Sequence, residues 1–213
     1  MLKKLEESAE NIEQKAWRDQ TYRELSKTYA ADKQIDKAIA LIDKIESPDT
    51  KALTIRGIGM AAAENKLTQD EYDTIFAKLR IVSEKIEHPP SYAIALTYIA
   101  MGQAFAGDNN GAWKTAGDME NDALRHKAFG ETAEIQAEMG DFDAAMKSIG
   151  FIESEAFRNK AYGHISKILA DAEKLQESYN AAEAITNAYK KAVAFQYILD
   201  AQKPREKEKD LLR

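Results

Sequence analysis

A repeat spacing of 33 residues is the feature that most constrains how this chain folds. A two-residue anchor, in most copies an apolar residue followed by a small one, recurs at intervals of 33, 41, 33, 33 and 33 residues. The anchors are Leu25-Ser26, Ile58-Gly59, Ile99-Ala100, Thr132-Ala133, Ile165-Ser166 and Ile198-Leu199. A fixed period of this length is typical of an array of stacked structural repeats.

Three further columns keep the same phase as the anchors. Five residues after the first anchor residue stand Ala30, Ala63, Ala104, Ala137 and Ala170, with Lys203 breaking the rule in the last copy. Three residues before it stand Tyr22, Ile55, Leu96, Phe129, Tyr162 and Phe195. Thirteen residues before it stand Ile12, Ile45, Ile86, Met119, Ile152 and Ile185. Small residues beside large ones suit closely packed helices, so we expect these columns to form the core.

Each repeat has the pattern of two helices. In the fourth copy one helical face is formed by residues at spacings of three and four, namely Phe129, Thr132, Ala133, Gln136 and Ala137. Gly140-Asp141 interrupts this helix, and Ala145, Ile149 and Ile152 mark the face of a second one. The sequence therefore predicts an all-α solenoid of about six helix-turn-helix units.

The interval of 41 residues contains eight more than the others, which is about two helical turns. The added sequence follows Thr68-Gln69-Asp70-Glu71, which has the form of a capping box. We expect an extended second helix in repeat 2, over about 68–87, that projects from the array. Two interpretations remain open: a functional insertion, or an elongation that the fold tolerates.

The repeats resemble those of the tetratricopeptide-repeat (TPR) family over about residues 14–200. Repeat 1 contains Tyr22-x2-Leu25-Ser26-x2-Tyr29 and then Ala38-x3-Ile42, and repeat 4 contains Gly140-Asp141-Phe142-Asp143-Ala144-Ala145. The period is 33 rather than the family's 34, and the family's proline near the repeat end is missing from most copies. The resemblance implies a right-handed α-solenoid, here a single TPR-like domain over 1–203 followed by a charged, frayed tail at 204–213.

The resemblance also implies that the first helices line a concave groove that binds a protein or peptide. Carried over by position, the candidate partner-binding residues are Arg23, Lys27, Arg56, Met60, Tyr98, Met101, Phe105, Glu134, His164 and Lys167, with Glu131, Glu138 and Tyr197 at equivalent positions. Large apolar groups at nominally exposed positions are typical interface anchors, which describes Met60, Tyr98, Met101 and Phe105. If the phase is wrong by one residue, these four belong to the core instead.

A charge ladder follows the repeat. Acidic residues occur at Glu13, Glu46, Glu87, Glu120 and Glu153, and five residues further on come Arg18, Lys51, Tyr92, Arg125 and Arg158, with Lys191 in the next copy. We interpret the ladder as ion pairs at the repeat junctions; the alternative is an ionic binding strip.

Composition argues against several other classes of function. The chain has no cysteine, which excludes disulfides and thiolate metal ligands, and its net charge of −6 argues against nucleic acid as partner. None of the three histidines has ligand spacing to another, and no phosphate-binding or nucleophile motif occurs. We therefore expect no cofactor, no metal, no enzymatic activity and no membrane insertion. The expected location is the cytoplasm, or the periplasm if a signal peptide has been removed.

Self-association is the alternative function. The last repeat contains no second helix, so an apolar end surface around Phe195 and Ile198 is a candidate homodimer interface, as is the extended helix of repeat 2.

Overall fold

The computed structural model describes residues 2–203, and over this range the chain forms twelve α-helices and one short 3₁₀ helix, with no β-strand. The all-α class is thus confirmed. The helices are α1 (Leu2–Glu10), α2 (Lys15–Ala31), α3 (Ile35–Ala40), α4 (Pro48–Glu64), α5 (Gln69–Ser83), α6 (Pro89–Phe105), α7 (Asn109–Gly117), α8 (Asp122–Glu138), α9 (Phe142–Gly150), α10 (Glu155–Asp171), α11 (Leu175–Glu183) and α12 (Ala188–Gln202), and the 3₁₀ helix is Leu41–Lys44. The tail expected at 204–213 lies outside the described residues.

The helices form hairpins that stack side by side, so that first helices make one layer and second helices the other. The anchors lie in α2, α4, α6, α8, α10 and α12, here called the first helices, and each of these packs against the next one in chain order. The second helices, α3, α5, α7, α9 and α11, each pack between their own first helix and the following one. The first helices α2 to α10 are 17 residues long, whereas α7, α9 and α11 have nine residues each.

The repeat columns account for most of the core. The first anchor residue is buried in all six copies, and so is the alanine five residues later in all five copies that have it. Five of the six residues in the column thirteen positions before the anchor are also buried. The one clear exception among the anchors is Leu199, whose side chain is 57% exposed. In the column three residues before the anchor, four of six residues are buried and Tyr162 and Phe195 are half-buried. Spacing along the sequence thus predicts most of the buried side of the first helices.

The turn between the two helices of a hairpin has one recurring backbone feature. Eight residues after the anchor the chain adopts a positive φ, at Lys33 (61°), Lys66 (48°), Gly107 (84°), Gly140 (83°) and Glu173 (61°). In four of these turns the amide of the next residue donates to the carbonyl five residues earlier, at 2.8 Å. This arrangement satisfies carbonyls that the ending helix leaves without a partner.

The second helix of repeat 2 packs onto the array, which corrects the expectation that it projects. Its 15 residues, Gln69–Ser83, include buried Tyr72, Phe76 and Leu79, and α5 contacts α3, α4 and α6. The capping box is confirmed: Thr68 Oγ1 accepts from the amide of Glu71, and Glu71 accepts from the amide of Thr68. The tyrosine hydroxyl bonds Ala63 O at 2.9 Å, so the first turn of the helix is held to α4.

Phe76 lies where two first helices come close together. A Cβ built on Gly102 of α6 would lie 3.5 Å from the backbone of Gly59 in α4 and 3.1 Å from the Phe76 ring. The two glycines therefore permit the close approach of α4 and α6, and the ring of Phe76 packs beside it.

Buried polar side chains tie down the junctions between hairpins. Asp19 accepts from the amides of Glu46 (3.1 Å) and Ser47 (2.8 Å), and Asn159, at the same repeat position, accepts from the amide of Thr186 at 2.8 Å. Because these carboxylate and amide groups satisfy otherwise unpaired junction amides, they set where the next first helix starts.

The charge ladder works differently from the expected row of ion pairs. Arg18 does pair with Glu46 across a junction. Arg125 and Arg158 instead donate to the junction carbonyls of Met119 (3.0 Å) and Ile152 (2.7 Å). A guanidinium carries several N–H donors, so these two arginines bond backbone carbonyls of the junction instead of pairing with the glutamates of the ladder.

Candidate partner-binding face

The ten residues predicted to bind a partner all lie on first helices, and none of them is buried. Four are exposed, namely Lys27, Arg56, His164 and Lys167. The other six are half-buried, namely Arg23, Met60, Tyr98, Met101, Phe105 and Glu134. They occupy α2, α4, α6, α8 and α10 in turn, so each of these helices contributes at least one residue.

Contacts between neighbouring first helices connect several of these residues. The guanidinium of Arg56 lies 5.4 Å from the centre of the Tyr98 ring, which links α4 to α6. Nδ1 of His164 lies 2.6 Å from Oε1 of Glu134, which links α10 to α8. We call the surface that carries the ten residues the first-helix face; it continues to α12, where the Tyr197 ring lies 5.4 Å from Nζ of Lys167.

The middle of the first-helix face is apolar. Met60, Tyr98, Met101 and Phe105 are half-buried, and Met101 and Phe105 pack against the main core. They are therefore neither fully buried core residues nor free surface residues. Half-buried apolar side chains of this kind can contact a partner without first unfolding the helix that carries them.

Charge is arranged asymmetrically around this apolar middle. On the side of α2 and α4 lie the cations of Arg23, Lys27 and Arg56. On the side of α8 lie three carboxylates, those of Glu131, Glu134 and Glu138. Lys127 lies 3.5 Å from Glu131, so part of the acidic charge is already neutralised. At the same repeat positions on α2 and α4 stand Glu24 and Glu64, so the α2 and α4 side carries both signs with the cations in slight excess, whereas the α8 side is acidic.

Two hollows flank α10 on the same face. One, of about 170 Å³, lies between α8 and α10, and the other, of about 260 Å³, lies between α10 and α12. The second hollow adds residues that the sequence analysis did not select: Lys160, Tyr189, Lys190 and Val193. For Lys160 the sequence does contain a signal, because Lys160, His164 and Lys167 stand at i, i+4 and i+7 on one helix.

A larger cleft lies elsewhere, between α5 and α7, and measures about 890 Å³. Several of its polar side chains already have partners within the chain. Gln103 accepts from Thr115 at 2.7 Å, Asn109 accepts from Gln136 at 2.8 Å, and Arg80 pairs with Asp118 at 2.8 Å. These groups thus serve the fold, and the first-helix face is the better candidate site.

His126 shows a buried nitrogen without a partner. It occupies the repeat position of Asp19 and Asn159, but its Nε2 has no hydrogen bond, and its ring packs 5.6 Å from that of Phe157.

Over residues 2–203 no group of three or more His, Asp and Glu side chains is placed to hold a metal ion. None of the helices described is both long and apolar enough to cross a membrane.

Comparison with known proteins identifies no family to which this chain belongs. The sequence matches no protein-family model and no curated protein. Among solved structures it is similar to Ton1535 from Thermococcus onnurineus NA1, with 16% sequence identity and a TM-score of 0.43. The match covers 84% of this chain and 57% of Ton1535, so the chain spans less than two thirds of that protein.

Proposed function

We propose that this chain is a scaffold, a right-handed TPR-like α-solenoid of about six repeats that binds a protein or peptide partner on its first-helix face. The proposed role is binding rather than catalysis. The observation that supports it most is that side chains outside the core contact one another from α4 to α6, from α8 to α10 and from α10 to α12, beside a half-buried apolar middle.

The arrangement suits an elongated partner. Six first helices lie side by side in chain order, and a helix or extended strand lying across them contacts several repeats at once. The apolar middle at Met60, Tyr98, Met101 and Phe105 supplies the contact area, and the cations and carboxylates beside it fix the direction of the partner.

The test is an affinity capture from the source lysate, read by mass spectrometry, with three forms of the protein. One is the wild type, and the second carries Tyr98→Ala, Met101→Ala and Phe105→Ala. The third, a matched control, carries Ile81→Ala, Met139→Ala and Leu175→Ala, which truncate side chains that are 62%, 54% and 38% exposed away from the apolar middle. Circular dichroism checks that all three forms are equally helical.

We expect the first triple variant to lose a partner that the wild type and the control retain. A partner that all three forms retain would show that the face is not the binding surface. If the first variant alone loses its helical signal, the three truncated residues belong to the core, as in the alternative phase.

A second candidate function, self-association, is favoured by exposed apolar side chains at the two ends of the described array. Leu199 on α12 is 57% exposed and Trp17 on α2 is 66% exposed. The end surface differs from the expected one, because Ile198 is buried and Phe195 stacks on Tyr179 with ring centres 5.3 Å apart. Light scattering at two protein concentrations, with Leu199→Glu as the dissociating variant, distinguishes a dimer from a monomeric scaffold.

A further inference from the structure

The hollow between α10 and α12 has an unusual lining. Lys160, His164 and Lys167 approach it from one face of α10, and Lys190 approaches it from α12. No Asp or Glu lines it, although acidic residues outnumber basic ones in the chain, 36 to 30. His164 is bonded to Glu134 of the neighbouring hollow, so the three lysines are what make this hollow a local basic site on an acidic protein.

The lysines of this hollow are without carboxylate partners. Within residues 2–203 no carboxylate oxygen lies within 4.0 Å of the ammonium group of Lys160, Lys167 or Lys190, whereas in the neighbouring hollow Lys127 pairs with Glu131. Lys167 instead lies over the Tyr197 ring. Three ammonium groups around one concave site produce a positive potential that an anionic partner would satisfy.

The hollow also has an apolar wall and an open floor. Tyr189 is 78% exposed and Val193 is 43% exposed, and both lie along it. At its floor, a Cβ built on Gly163 would meet no atom within 4 Å. There is therefore room for a side chain of a partner between the two helices, in contact with apolar groups and next to the lysines.

We propose that the hollow between α10 and α12 binds an acidic segment of a partner protein. Carboxylates of the segment pair with Lys160, Lys167 and Lys190, and an apolar side chain of the segment packs over Gly163 against Tyr189 and Val193. The proposal rests on the scaffold function above, to which it adds the charge of the partner. A polypeptide fits better than a nucleic acid because the wall is apolar and the hollow is small, which suits a short acidic segment with an apolar side chain.

The probe for the test is a fluorescein-labelled peptide of repeating Glu-Glu-Leu, with Gln-Gln-Leu and Lys-Lys-Leu peptides of equal length as controls. Binding is measured by fluorescence anisotropy with the full chain. The charge-reversal variant carries Lys160→Glu, Lys167→Glu and Lys190→Glu. Its matched control carries Lys3→Glu, Lys4→Glu and Lys66→Glu, which change the net charge equally at exposed positions outside the hollow.

A second variant blocks the hollow without changing charge. Gly163→Leu fills the space over the floor, and because leucine is a better helix former than glycine, the variant should fold at least as well as the wild type. This variant distinguishes loss of binding caused by blocking the hollow from loss of binding caused by a changed electrostatic field.

We expect the Glu-Glu-Leu peptide to bind wild type and control alike, and its dissociation constant to rise about tenfold or more in the charge-reversal and Gly163→Leu variants. The charge-reversal variant should gain affinity for the Lys-Lys-Leu peptide, which a merely misfolded protein would not do. Added salt should weaken the wild-type complex.

Three results would overturn the proposal: equal binding of the Glu-Glu-Leu and Gln-Gln-Leu peptides, equal loss in the matched control, or preferential binding of single-stranded poly-U RNA at the same lysines. None of these bears on the capture experiment with Tyr98, Met101 and Phe105. Failure of that capture alone, with the acidic peptide still bound in the hollow, would count against the scaffold and not against the hollow.

Discussion

At the scale of single residues, one backbone conformation recurs in every hairpin turn, whatever residue occupies the position. All five hairpin turns place a residue with positive φ eight positions after the anchor, but only Gly107 and Gly140 are glycines. Lys33, Lys66 and Glu173 carry a Cβ in the left-handed region, which costs a residue other than glycine about 1–2 kcal/mol. These three turns are thus held in place by the helices that pack on either side of them.

The first prediction concerns this position. Glu173→Gly should raise the free energy of unfolding, by up to about 1 kcal/mol, since it relieves the left-handed strain but increases the flexibility of the unfolded chain. Gly107→Ala should lower it by about 1 kcal/mol; its added Cβ meets no atom within 4 Å, so only the φ of 84° opposes the change. Urea unfolding followed by circular dichroism measures both.

Opposite signs for these two substitutions are the required outcome. If Glu173→Gly and Gly107→Ala both destabilise, the entropy that glycine adds to the unfolded chain outweighs the left-handed strain at Glu173, and the strain argument is wrong.

At the scale of helices, α5 shows how the fold absorbs an insertion. In the other turns the residue after the left-handed position bonds a backbone carbonyl, but the corresponding amide of Leu67 donates to the Tyr72 hydroxyl at 3.1 Å. That hydroxyl in turn donates to Ala63 O. The tyrosine therefore replaces the missing backbone bond, and the longer helix stays packed on α4.

The second prediction concerns the capping box of α5. Thr68→Ala removes the acceptor of the Glu71 amide and should cost about 1 kcal/mol of stability, measured by urea unfolding. Thr68→Ser keeps the acceptor and serves as the control. Equal loss in both variants would mean that the methyl group of Thr68, rather than its hydroxyl, matters.

The same box predicts a pH dependence. The hydrogen bond from the Thr68 amide lowers the pKa of Glu71 below its ordinary value of 4.5. A carboxyl with a lowered pKa stabilises the fold above its unfolded-state pKa, and this contribution is lost as the pH falls through the folded-state value. The stability difference between wild type and Glu71→Gln should thus be constant near neutral pH and shrink below about pH 4.5. A difference that grows on acidification would contradict it.

At the scale of the whole molecule, packing is a succession of neighbours. First helices pack on the preceding and following first helices, and second helices fill the gap between two of them. The main core runs from α1 to α11, and a smaller cluster of Ala170, Ala182, Ile185, Ala194 and Ile198 joins α12 to the array. Stability in such an arrangement is close to a sum of local and nearest-neighbour terms.

The third prediction is a gradient of amide hydrogen exchange. Among the described residues α6 packs against α4, α5, α7 and α8, whereas α12 packs only against α10 and α11. Amides of α12 should therefore exchange faster than those of α6 and α8, because local opening there breaks fewer contacts. Exchange mass spectrometry at native pH tests this, and the same protection in all first helices would indicate a single cooperative unit instead.

The sequence by itself determined the helices and the side that each one buries. The 33-residue period places the anchors, the alanines five residues later and Phe129 or Ile152 in the core, because the helical period of 3.6 residues couples spacing directly to burial. It also predicted the capping box at Thr68, since the signals of a helix start lie within four residues. The same phase predicts that the ten candidate partner-binding residues lie outside the core.

Only the tertiary structure decided what those surfaces meet. Neither the packing of α5 on α4, nor the bonds of Arg125 and Arg158 to junction carbonyls, nor the hollow that brings Lys160 and Lys190 together could be predicted from the spacing. Each depends on how one hairpin is placed against the next, over separations of many residues. Local periodicity specifies which side of a helix faces inward, whereas the neighbours across a junction are set by the summed packing of two hairpins.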